Sequence, residues 1–447
     1  MYKNQTNRRD FIKKIACVSA GTIVLPTILS SCSKGANDIV NVAHIGAGSR
    51  GSRTAKNYFL PVPGSRSLAI CDAYTDRRED LAKHFSAFYA ENYQQKINCT
   101  PYLDYEEIMD RSDIDAVHIA TGDHWHLPMA IKAARAGKHI FLEKPLGLSL
   151  DQMVELEGIM KEKNLIFHYG TQQRSLDHIK KGIEMVKSGE IGEITQIEVW
   201  APQGEGPPEG SASAEEPPSG LDYDRWLGPA PVQPYSKARV GHTGGNSGIF
   251  HIHDYSIGFI AGWGAHPLDV AVWGAKKQMN ETGTFTGSGT FFPEDSMFDT
   301  INHWDINISY DNGLNIHFVS TNYAGEMMKK LDSRNGTTFY GTKGWISLGR
   351  GAAASDITKI HEELNVTIFG ENNMHGYNFI QSVKGEMEPF NPLDDAIISD
   401  CISHMGNVLM RSGKDKIVWD PVNRRIVNYP GLEKEYFHRE PREPYGL

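Results

Sequence analysis

The sequence predicts two folded domains: an α/β domain with a doubly wound parallel sheet, then an α+β domain with an open, predominantly antiparallel sheet. Three observations support this prediction. A glycine-rich turn that begins at Gly46 follows the first apolar strand, and strands and helices alternate from there to Gly170. Beyond Gly170, alternating strands follow one another directly. At 447 residues the chain is also long enough to bury two cores.

Composition and charge exclude several classes of protein. The formal net charge is -10, and no basic block occurs beyond the N-terminal segment, so we expect no nucleic-acid partner. The five cysteines are scattered without a CxxC pair. Neither a disulfide framework nor a zinc site is therefore predicted.

Residues 1–37 are predicted to be an export signal and a tether. The pair Arg8-Arg9 precedes an apolar run from Ile15 to Leu29, which resembles a twin-arginine signal. Leu29-Ser30-Ser31-Cys32 resembles a lipobox, in which the cysteine is lipidated. We therefore expect an exported lipoprotein, anchored through Cys32 on the periplasmic face of a membrane. A folded protein exported by this route can carry a cofactor with it.

The first domain is predicted to span residues 38–170 and to bind a dinucleotide. A strand at 39–45 ends in a G-x-G-x-x-G turn that opens a helix, which leaves free backbone N–H groups facing a pyrophosphate. The predicted contacts in this turn are Gly46, Gly48, Ser49, Arg50 and Gly51.

Asp72 ends the second strand, 67–71, about 20 residues beyond the last glycine of the turn. A carboxylate there can accept both ribose hydroxyls and repels a 2′-phosphate, so NAD is favoured over NADP. Arg77 and Arg78 lie close in sequence and keep NADP as the less favoured cofactor. The alternative role for Asp72 is a helix N-cap.

Three further strands are predicted at 116–120, 139–142 and 165–169, with helices at 127–136 and 150–163. Thr121 to His126 follow the first of these strands, and Glu143-Lys144-Pro145 follow the second. Open α/β sheets bind ligands at the carboxyl ends of their strands. The alternative for Glu143 and Lys144 is a surface ion pair.

The second domain is predicted to span residues 171–447. A helix at 177–188 and a strand at 194–200 precede a Gly/Pro/Ser/Glu-rich stretch, 203–220, which is predicted to be a surface loop at a rim or lid. Further strands are predicted at 302–309, 314–320, 337–340 and 345–348, and a helix at 393–411.

Together, these motifs resemble the Gfo/Idh/MocA oxidoreductases. The matching segments are the glycine turn, Asp72, Thr121 to His126, Glu143-Lys144-Pro145 and Gly264-Ala265-His266-Pro267-Leu268-Asp269. The resemblance implies a Rossmann domain, a tightly held NAD(P) cofactor and a sugar or cyclitol substrate. It also implies a homo-oligomer, a dimer or a tetramer, which forms through the open sheet.

The resemblance also implies roles for individual residues. Lys144 lies between the substrate hydroxyl and the nicotinamide, where an ammonium stabilises a developing alkoxide, and Glu143 orients it. His266 is the acid/base, and Asp269, one turn on, holds the imidazole or meets the sugar. The cofactor contacts beyond the glycine turn and Asp72 are Thr121, His124, His126, Glu143 and Lys144.

One departure from the resemblance concerns the proton relay. Inositol dehydrogenases carry an aspartate four residues before the catalytic histidine, and this chain has Gly262 there. Asp254 is the predicted substitute, if its loop folds back. The group His251, His253, Asp254 and His266 superficially resembles a metal site, but no HExxH spacing is present and no metal is predicted.

Sugar contacts are predicted from aromatic and polar residues of the second domain. Aromatic faces stack on the C–H faces of pyranoses. Tyr223, Trp226, Tyr235, Tyr255 and Trp263 lie in loop-like stretches on either side of the histidine. Core packing is the alternative for these residues, and it is a strong one for Trp226. The predicted substrate residues are Gln172, Arg174, Asp254, Tyr255 and Trp263.

These predictions describe an exported NAD-dependent oxidoreductase that acts on a ring hydroxyl of a sugar or glycoside, with a 3-keto-glycoside cycle as the favoured chemistry. A redox-neutral, NAD-dependent glycosidase of the same family is the first alternative. Those glycosidases resemble this chain less at the motifs, because they use a Tyr-x-x-His element and lack Glu-Lys-Pro. A non-catalytic, glycan-binding lipoprotein is the second alternative.

Overall fold

The computed structural model describes residues 39–94, 96–204, 212–241, 248–364 and 374–446. The predicted export signal and Cys32 lie outside these residues, as does part of the predicted loop at 203–220. Among the described residues, no helix is long and apolar enough to cross a membrane.

The first sheet has six parallel strands in the order β3-β2-β1-β4-β5-β6, which confirms the doubly wound prediction. Its strands are β1 Val40–Ile45, β2 Ser65–Cys71, β3 Thr100–Tyr102, β4 Ala116–Ile119, β5 His139–Leu142 and β6 Phe167–Tyr169. Its helices are α1 Ser49–Thr54, α2 Thr75–Tyr93, α3 Glu106–Met109, α4 Asp123–Arg135 and α5 Leu150–Glu162.

Helix α4 begins four residues earlier than the apolar pattern predicts. Gly122 is extended and serves as its N-cap, so Asp123 to His126 form the first turn of the helix. Asp123 in that turn complements the helix dipole. The polar residues after β4 are thus held on a regular helix at the carboxyl edge of the sheet.

A row of aromatic rings crosses the interior of this sheet. His44 of β1 is in register with His118 of β4, His118 with Phe141 of β5, and Phe141 with His168 of β6. The helix Met374–Val383 adds His375, whose ring lies 4.4 Å from that of His168. These imidazoles are fully buried, so the row is part of the core.

The second sheet has nine strands in the order β13-β12-β11-β7-β10-β9-β8-β14-β15. All neighbours pair antiparallel except β7 and β10, which pair parallel, so the predominantly antiparallel prediction is confirmed. The strands are β7 Ile194–Ala201, β8 Gly283–Phe291, β9 Ile301–Tyr310, β10 Asn315–Ser320, β11 Gly336–Gly341, β12 Gly344–Gly349, β13 Ala352–Ser355, β14 Lys416–Asp420 and β15 Arg425–Ile426.

One face of this sheet is covered by helices, and α10 packs on β7 and β11. The helices of this part are α6 Asp177–Lys187, α7 Tyr223–Leu227, α8 Lys237–Val240, α9 Phe259–Gly262, α10 Ala265–Met279, α11 Gly325–Lys330, α12 Thr358–Glu363, α13 Met374–Val383, α14 Leu393–Ser412 and α15 Leu432–Tyr436.

Helix α14 links the two sheets. Its buried Asp400 accepts a hydrogen bond from the Tyr169 hydroxyl at 2.9 Å and another from the Leu146 backbone N–H at 3.2 Å. Leu146 follows the Lys144-Pro145 pair directly. Asp400, from the second half of the chain, therefore helps to hold the segment that carries the predicted catalytic lysine.

Candidate active site

The glycine turn forms one end of a cavity of about 800 Å³. Gly46 has φ +95°, and a Cβ there would lie 2.3 Å from the Ala120 carbonyl oxygen. A Cβ on Gly51 would lie 2.0 Å from the Gly46 carbonyl oxygen. Both positions therefore require glycine. The start of α1, which lies between these two glycines, lines the cavity, as a site for an anion requires.

Asp72 stands beside this turn and fixes it. Its carboxylate accepts the Ala47 N–H at 2.6 Å and the Tyr74 N–H at 2.8 Å. Burial raises the pKa of Asp72, and these two hydrogen bonds act in the opposite direction. Asp72 lines the cavity, and each of its carboxylate oxygens keeps a lone pair that a ligand hydroxyl could use.

Another wall of the cavity is formed by Thr121 and by His124 and His126 of the first turn of α4. His126 Nδ1 lies 2.6 Å from the Pro145 carbonyl oxygen, and its Nε2 has no partner among the described residues. Burial lowers the pKa of His124 to about 4, so that ring is neutral at physiological pH.

Glu143 directly follows β5 and accepts hydrogen bonds from three donors. Its Oε1 accepts from Arg50 Nε at 2.9 Å, from the Thr54 hydroxyl at 3.2 Å and from Gln172 Nε2 at 3.1 Å. Its Oε2 is buried without a partner in the described part of the chain. The carboxylate is thus fixed in orientation, with one oxygen left for a ligand. Gln172, predicted to bind substrate, instead positions Glu143 and does not line the cavity.

Lys144 reaches across to the second half of the chain. Its ammonium donates to the Gly262 carbonyl oxygen at 2.7 Å. Burial lowers its pKa, while Asp123 and Glu143 act in the opposite direction. Because Gly262 has no side chain, its contact with the Lys144 ammonium is made by the backbone carbonyl oxygen alone.

His266 lies at the start of α10 and faces the same cavity. Its Nδ1 donates to the Thr171 carbonyl oxygen at 2.9 Å, which leaves Nε2 as an acceptor. Burial lowers its pKa well below the usual range, and Arg350, Lys144 and Arg50 add to this. A neutral imidazole that carries its basic nitrogen at the cavity is suited to remove a hydroxyl proton.

The predicted roles of Asp269 and Arg174 are corrected by their placement. Arg174 donates to Asp269 through Nε at 2.9 Å and Nη2 at 2.5 Å, and the side chains are 1% and 0% exposed. Thr171 and Asn391 also donate to Asp269. Neither residue lines the cavity. The pair is a structural support beneath His266, because its hydrogen bonds are satisfied internally.

Two further substrate predictions also fall outside the cavity. Tyr255 is fully buried, with its ring 5.2 Å from that of His124, and its hydroxyl accepts from Arg239. Asp254 does not line the cavity, and burial raises the pKa of its carboxyl. The partner of His266 Nδ1 is thus the Thr171 carbonyl oxygen and not Asp254.

Trp263 does line the cavity, and its ring lies 5.9 Å from that of His266. Beside it stands Arg350, which sequence reasoning missed. Its guanidinium lies 5.3 Å from the centre of the Trp263 ring. Trp226, a weaker candidate, also lines the cavity, while Tyr235 is buried elsewhere. Among the described residues, no group of three or more His, Cys, Asp or Glu side chains could hold a metal.

Comparisons with known proteins identify the family. A model of the oxidoreductase family's NAD-binding Rossmann fold matches residues 40–171, and a model of its C-terminal α/β domain matches residues 204–446. The chain belongs to the Gfo/Idh/MocA family. The resemblance drawn from the motifs is thereby confirmed, together with the expectation of a nicotinamide cofactor.

Curated relatives of this Gfo/Idh/MocA protein include glycosidases. A glycosyl hydrolase family 109 protein of Shewanella sp. (strain W3-18-1) is 27% identical over 211 residues, which are 42% of this chain and 44% of that protein. An alpha-N-acetylgalactosaminidase of Shewanella oneidensis aligns to the same extent, at 27% identity. The aligned region thus covers less than half the length of these relatives.

Solved structures share the fold over most of the chain. Scyllo-inositol dehydrogenase from Lactobacillus casei, with bound NAD(H) and scyllo-inositol, superposes with a TM-score of 0.57 at 15% identity. It covers 85% of this chain and 99% of that one. An oxidoreductase from Agrobacterium radiobacter gives a TM-score of 0.58 at 14% identity, over 84% and 97% of the two chains.

The cavity fits the cofactor of the Gfo/Idh/MocA family. All predicted cofactor residues line it, from the glycine turn through Asp72 and α4 to Glu143 and Lys144. Several buried polar atoms along this path lack a partner in the described part of the chain, as expected where a polar ligand completes them. They are Arg50 Nη2, His124 Nδ1, His126 Nε2 and Glu143 Oε2.

Proposed function

We propose that the protein is an NAD-dependent oxidoreductase that acts on a ring hydroxyl of a sugar or glycoside. The observation that carries the proposal is that His266, whose Nε2 is left as an acceptor, and Lys144 line one cavity, which begins at a dinucleotide-type glycine turn. When bound, the nicotinamide takes up a hydride from the substrate carbon. All other parts of the reaction fall to side chains of this chain.

In this proposal His266 removes the hydroxyl proton. The Thr171 carbonyl fixes the tautomer that leaves Nε2 as the acceptor, and the lowered pKa keeps the imidazole unprotonated before the reaction. Lys144 donates to the oxygen that becomes negative, and the Gly262 carbonyl directs its ammonium into the cavity. Proton removal and oxygen stabilisation thus come from two different residues.

NAD rather than NADP is the proposed cofactor. Asp72 places a carboxylate at the adenosine end of the cavity, where it can accept ribose hydroxyls. Arg77 lines the same end, with its guanidinium 3.8 Å from the centre of the Tyr74 ring. We propose that the stacked guanidinium lies against the adenosine and that Asp72 decides the preference.

A redox-neutral glycosidase is the second candidate, because glycosidases are among the curated relatives. Oxidation of a ring carbon makes the neighbouring C–H acidic, so the same site can prepare elimination of a glycosidic oxygen. The presence of Lys144 in a Glu-Lys-Pro motif favours the oxidoreductase, because the NAD-dependent glycosidases of the family lack this motif.

One experiment separates the candidates. The purified protein is denatured and any released nucleotide identified, and the native protein is incubated with a panel of glycosides. A keto-sugar with reduced bound nucleotide is expected for the oxidoreductase. Net hydrolysis indicates the glycosidase, and neither nucleotide nor turnover would overturn both in favour of a glycan-binding protein.

We also propose that the protein is exported and lipid-anchored, and that it forms a homo-oligomer through the open face of the second sheet. Fatty-acid labelling in a bacterial host is expected to mark the parent and not Cys32→Ala. Replacement of Arg8 and Arg9 by lysine is expected to retain the protein in the cytoplasm. Light scattering of the purified protein decides whether it is a dimer or a tetramer.

A further inference from the structure

Residues 438–446, which we call the strap, lead from the second domain back to the cavity that begins at the glycine turn. Phe437, just before them, is buried, and its ring stacks on that of His404 at 3.7 Å. The strap residues themselves are half-buried or exposed, so they add little to the core. Within the strap, Tyr445 lines the cavity.

Tyr445 belongs to the adenosine end of this cavity. Tyr105 follows β3, which pairs with β2, the strand that ends just before Asp72. The Tyr105 ring lies 5.6 Å from that of Trp125, and the Trp125 ring meets Tyr445 edge-on at 5.4 Å. All three rings line the cavity. Residues far apart in sequence thus build one aromatic wall near the carboxylate that can accept the ribose hydroxyls.

Asp224 of α7 attaches the strap. Its Oδ2 accepts from the Tyr445 hydroxyl at 2.7 Å, and its Oδ1 lies 2.8 Å from Arg442 Nη2. The hydrogen bond from Tyr445, and with it the Arg442 guanidinium, lowers the pKa of Asp224. Arg442 Nε also donates to the carbonyl oxygens of Gly228 and Ala230, at 3.1 and 3.2 Å. Two strap residues are thus bound to one carboxylate and to the loop that follows it.

This attachment is polar and partly exposed to solvent. The Asp224 side chain is 61% exposed, and that of Arg442 is 19% exposed. Ion pairs with such exposure add little stability, and their hydrogen bonds exchange readily with water. The strap can therefore detach locally while the core, with Phe437, stays folded.

Open space lies on both sides of Tyr445. A second cavity, of about 430 Å³, shares Tyr105, Arg225 and Tyr445 with the first. These three side chains therefore separate the two cavities. When the strap detaches, the wall loses Tyr445, and the adenosine end of the first cavity opens into the second.

We propose that the strap retains the dinucleotide cofactor: Tyr445 closes the adenosine end of the cavity, and Asp224 holds it closed. The Arg442 guanidinium lies over the Tyr445 ring, 4.8 Å from its centre, so the ring acts as a fixed wall and not as a free stacking surface. This inference rests on the dinucleotide cofactor of the proposed function and adds how that cofactor is kept. It does not depend on which sugar is the substrate.

The test measures release of a dinucleotide and needs no turnover. Any retained nucleotide is first exchanged for NADH, excess NAD is then added, and the loss of bound-NADH fluorescence gives the release rate. In Tyr445→Ala this rate is expected to rise about tenfold or more, because the wall is lost. Tyr445→Phe keeps the ring and loses the hydrogen bond to Asp224, so a smaller rise of about 3- to 10-fold is expected.

Further variants complete the test. Asp224→Asn weakens the pair with Arg442 and should speed release about two- to fivefold. Glu440→Gln is the matched control, because it changes a 91% exposed side chain of the same strap and should leave the release rate unchanged. Melting temperatures of the nucleotide-free proteins should agree, which excludes loss of the fold as the cause.

Two results would overturn the inference: release from Tyr445→Ala at the parent rate, or an equal acceleration by Glu440→Gln. Failure of the parent to bind NADH at all would instead overturn the proposed cofactor, and with it the proposed function.

Discussion

The ammonium of Lys144 donates a 2.7 Å hydrogen bond to the carbonyl oxygen of Gly262. Inositol dehydrogenases, which the motifs resemble, have an aspartate at the position of Gly262. Here a backbone oxygen holds Lys144, just as the Thr171 carbonyl holds His266. Carbonyl oxygens orient both groups without adding negative charge. Burial lowers the pKa of both groups; Asp123 and Glu143 act in the opposite direction on Lys144, whereas the opposing effect on His266 is the hydrogen bond to the Thr171 carbonyl.

Placing an aspartate at position 262 should therefore change the pH dependence of kcat/KM. A Cβ on Gly262 meets no atom within 4 Å, and the residue lines the cavity, so Gly262→Asp is sterically accommodated. The new carboxylate would stabilise the imidazolium of His266 and raise its pKa. Because His266 acts when neutral, the acid limb of the kcat/KM profile should move to higher pH. The measurement is that profile with any glycoside that is turned over.

Gly262→Asn is the matched control for this change. It has nearly the same shape as aspartate and no charge, so it should leave the acid limb where the parent has it. If aspartate and asparagine move the limb equally, the effect is steric and the electrostatic account of His266 is wrong.

Removing the ammonium itself should abolish oxidation. In Lys144→Met the negative oxygen loses its donor, and we expect a loss of about 10²- to 10³-fold in kcat for reduction of the bound cofactor. The melting temperature and the amount of released nucleotide should stay near those of the parent. Lys144→Arg keeps the charge but has a different shape, so its kcat should lie between that of the parent and that of Lys144→Met. Parent-level reduction by Lys144→Met would contradict the proposed mechanism.

The first sheet was predictable because the sequence signals for its strands, turns and helices lie within short stretches of the chain. Apolar strands, glycine turns and helix periodicity mark each unit in turn, and parallel strands bring their carboxyl ends together automatically. Asp72 and Lys144, which follow two of these strands, accordingly line one cavity. Five strands were not predicted: β3, β8, β13, β14 and β15. Glycines interrupt the Thr/Phe pattern of β8, and β13 is a run of alanines, so neither shows a continuous β-branched or aromatic alternation.

The site residues that were assigned wrongly depend on long-range packing. Asp269 lies one helical turn from His266, and spacing alone cannot tell whether its side chain faces the cavity or the interior. The side chain of Asp269 faces the interior because it is bound by the buried guanidinium of Arg174, which lies 95 residues earlier in the chain. Arg350 was missed for the opposite reason: only the folded second sheet brings the end of β12 to Trp263.

The Arg174–Asp269 pair is expected to matter for stability. In Asp269→Asn the buried guanidinium keeps one charged partner, Asp395 at 2.7 Å, and loses the bidentate one. Breaking such a buried pair costs about 3–5 kcal/mol. Urea unfolding should show a correspondingly lower midpoint. Asp113→Asn breaks the partly exposed pair with Arg111 and should cost no more than about 1 kcal/mol. Equal effects of the two variants would contradict a structural role for Asp269.

The row of buried rings in the first sheet should make the fold sensitive to acid. Burial lowers the pKa of His44 to about 3 and of His168 to about 4, and it lowers that of His118 well below the usual range. These histidines take up protons readily only when unfolded. Their contribution to stability is therefore complete above about pH 6.5 and is lost progressively as the pH falls towards the folded-state pKa values.

Each such histidine should steepen the fall by about 1.4 kcal/mol per pH unit within that window. His118→Phe, whose ring would lie between Phe59 and Phe141, should remove one histidine's share of the slope. Phe141→Leu, in the same row, should lower stability at every pH and leave the slope unchanged. Urea midpoints from about pH 7 to about pH 4 give both quantities. A slope unaltered in His118→Phe would show that the row does not cause the acid sensitivity, because only the histidine substitution removes a group that is neutral when folded and protonated when unfolded.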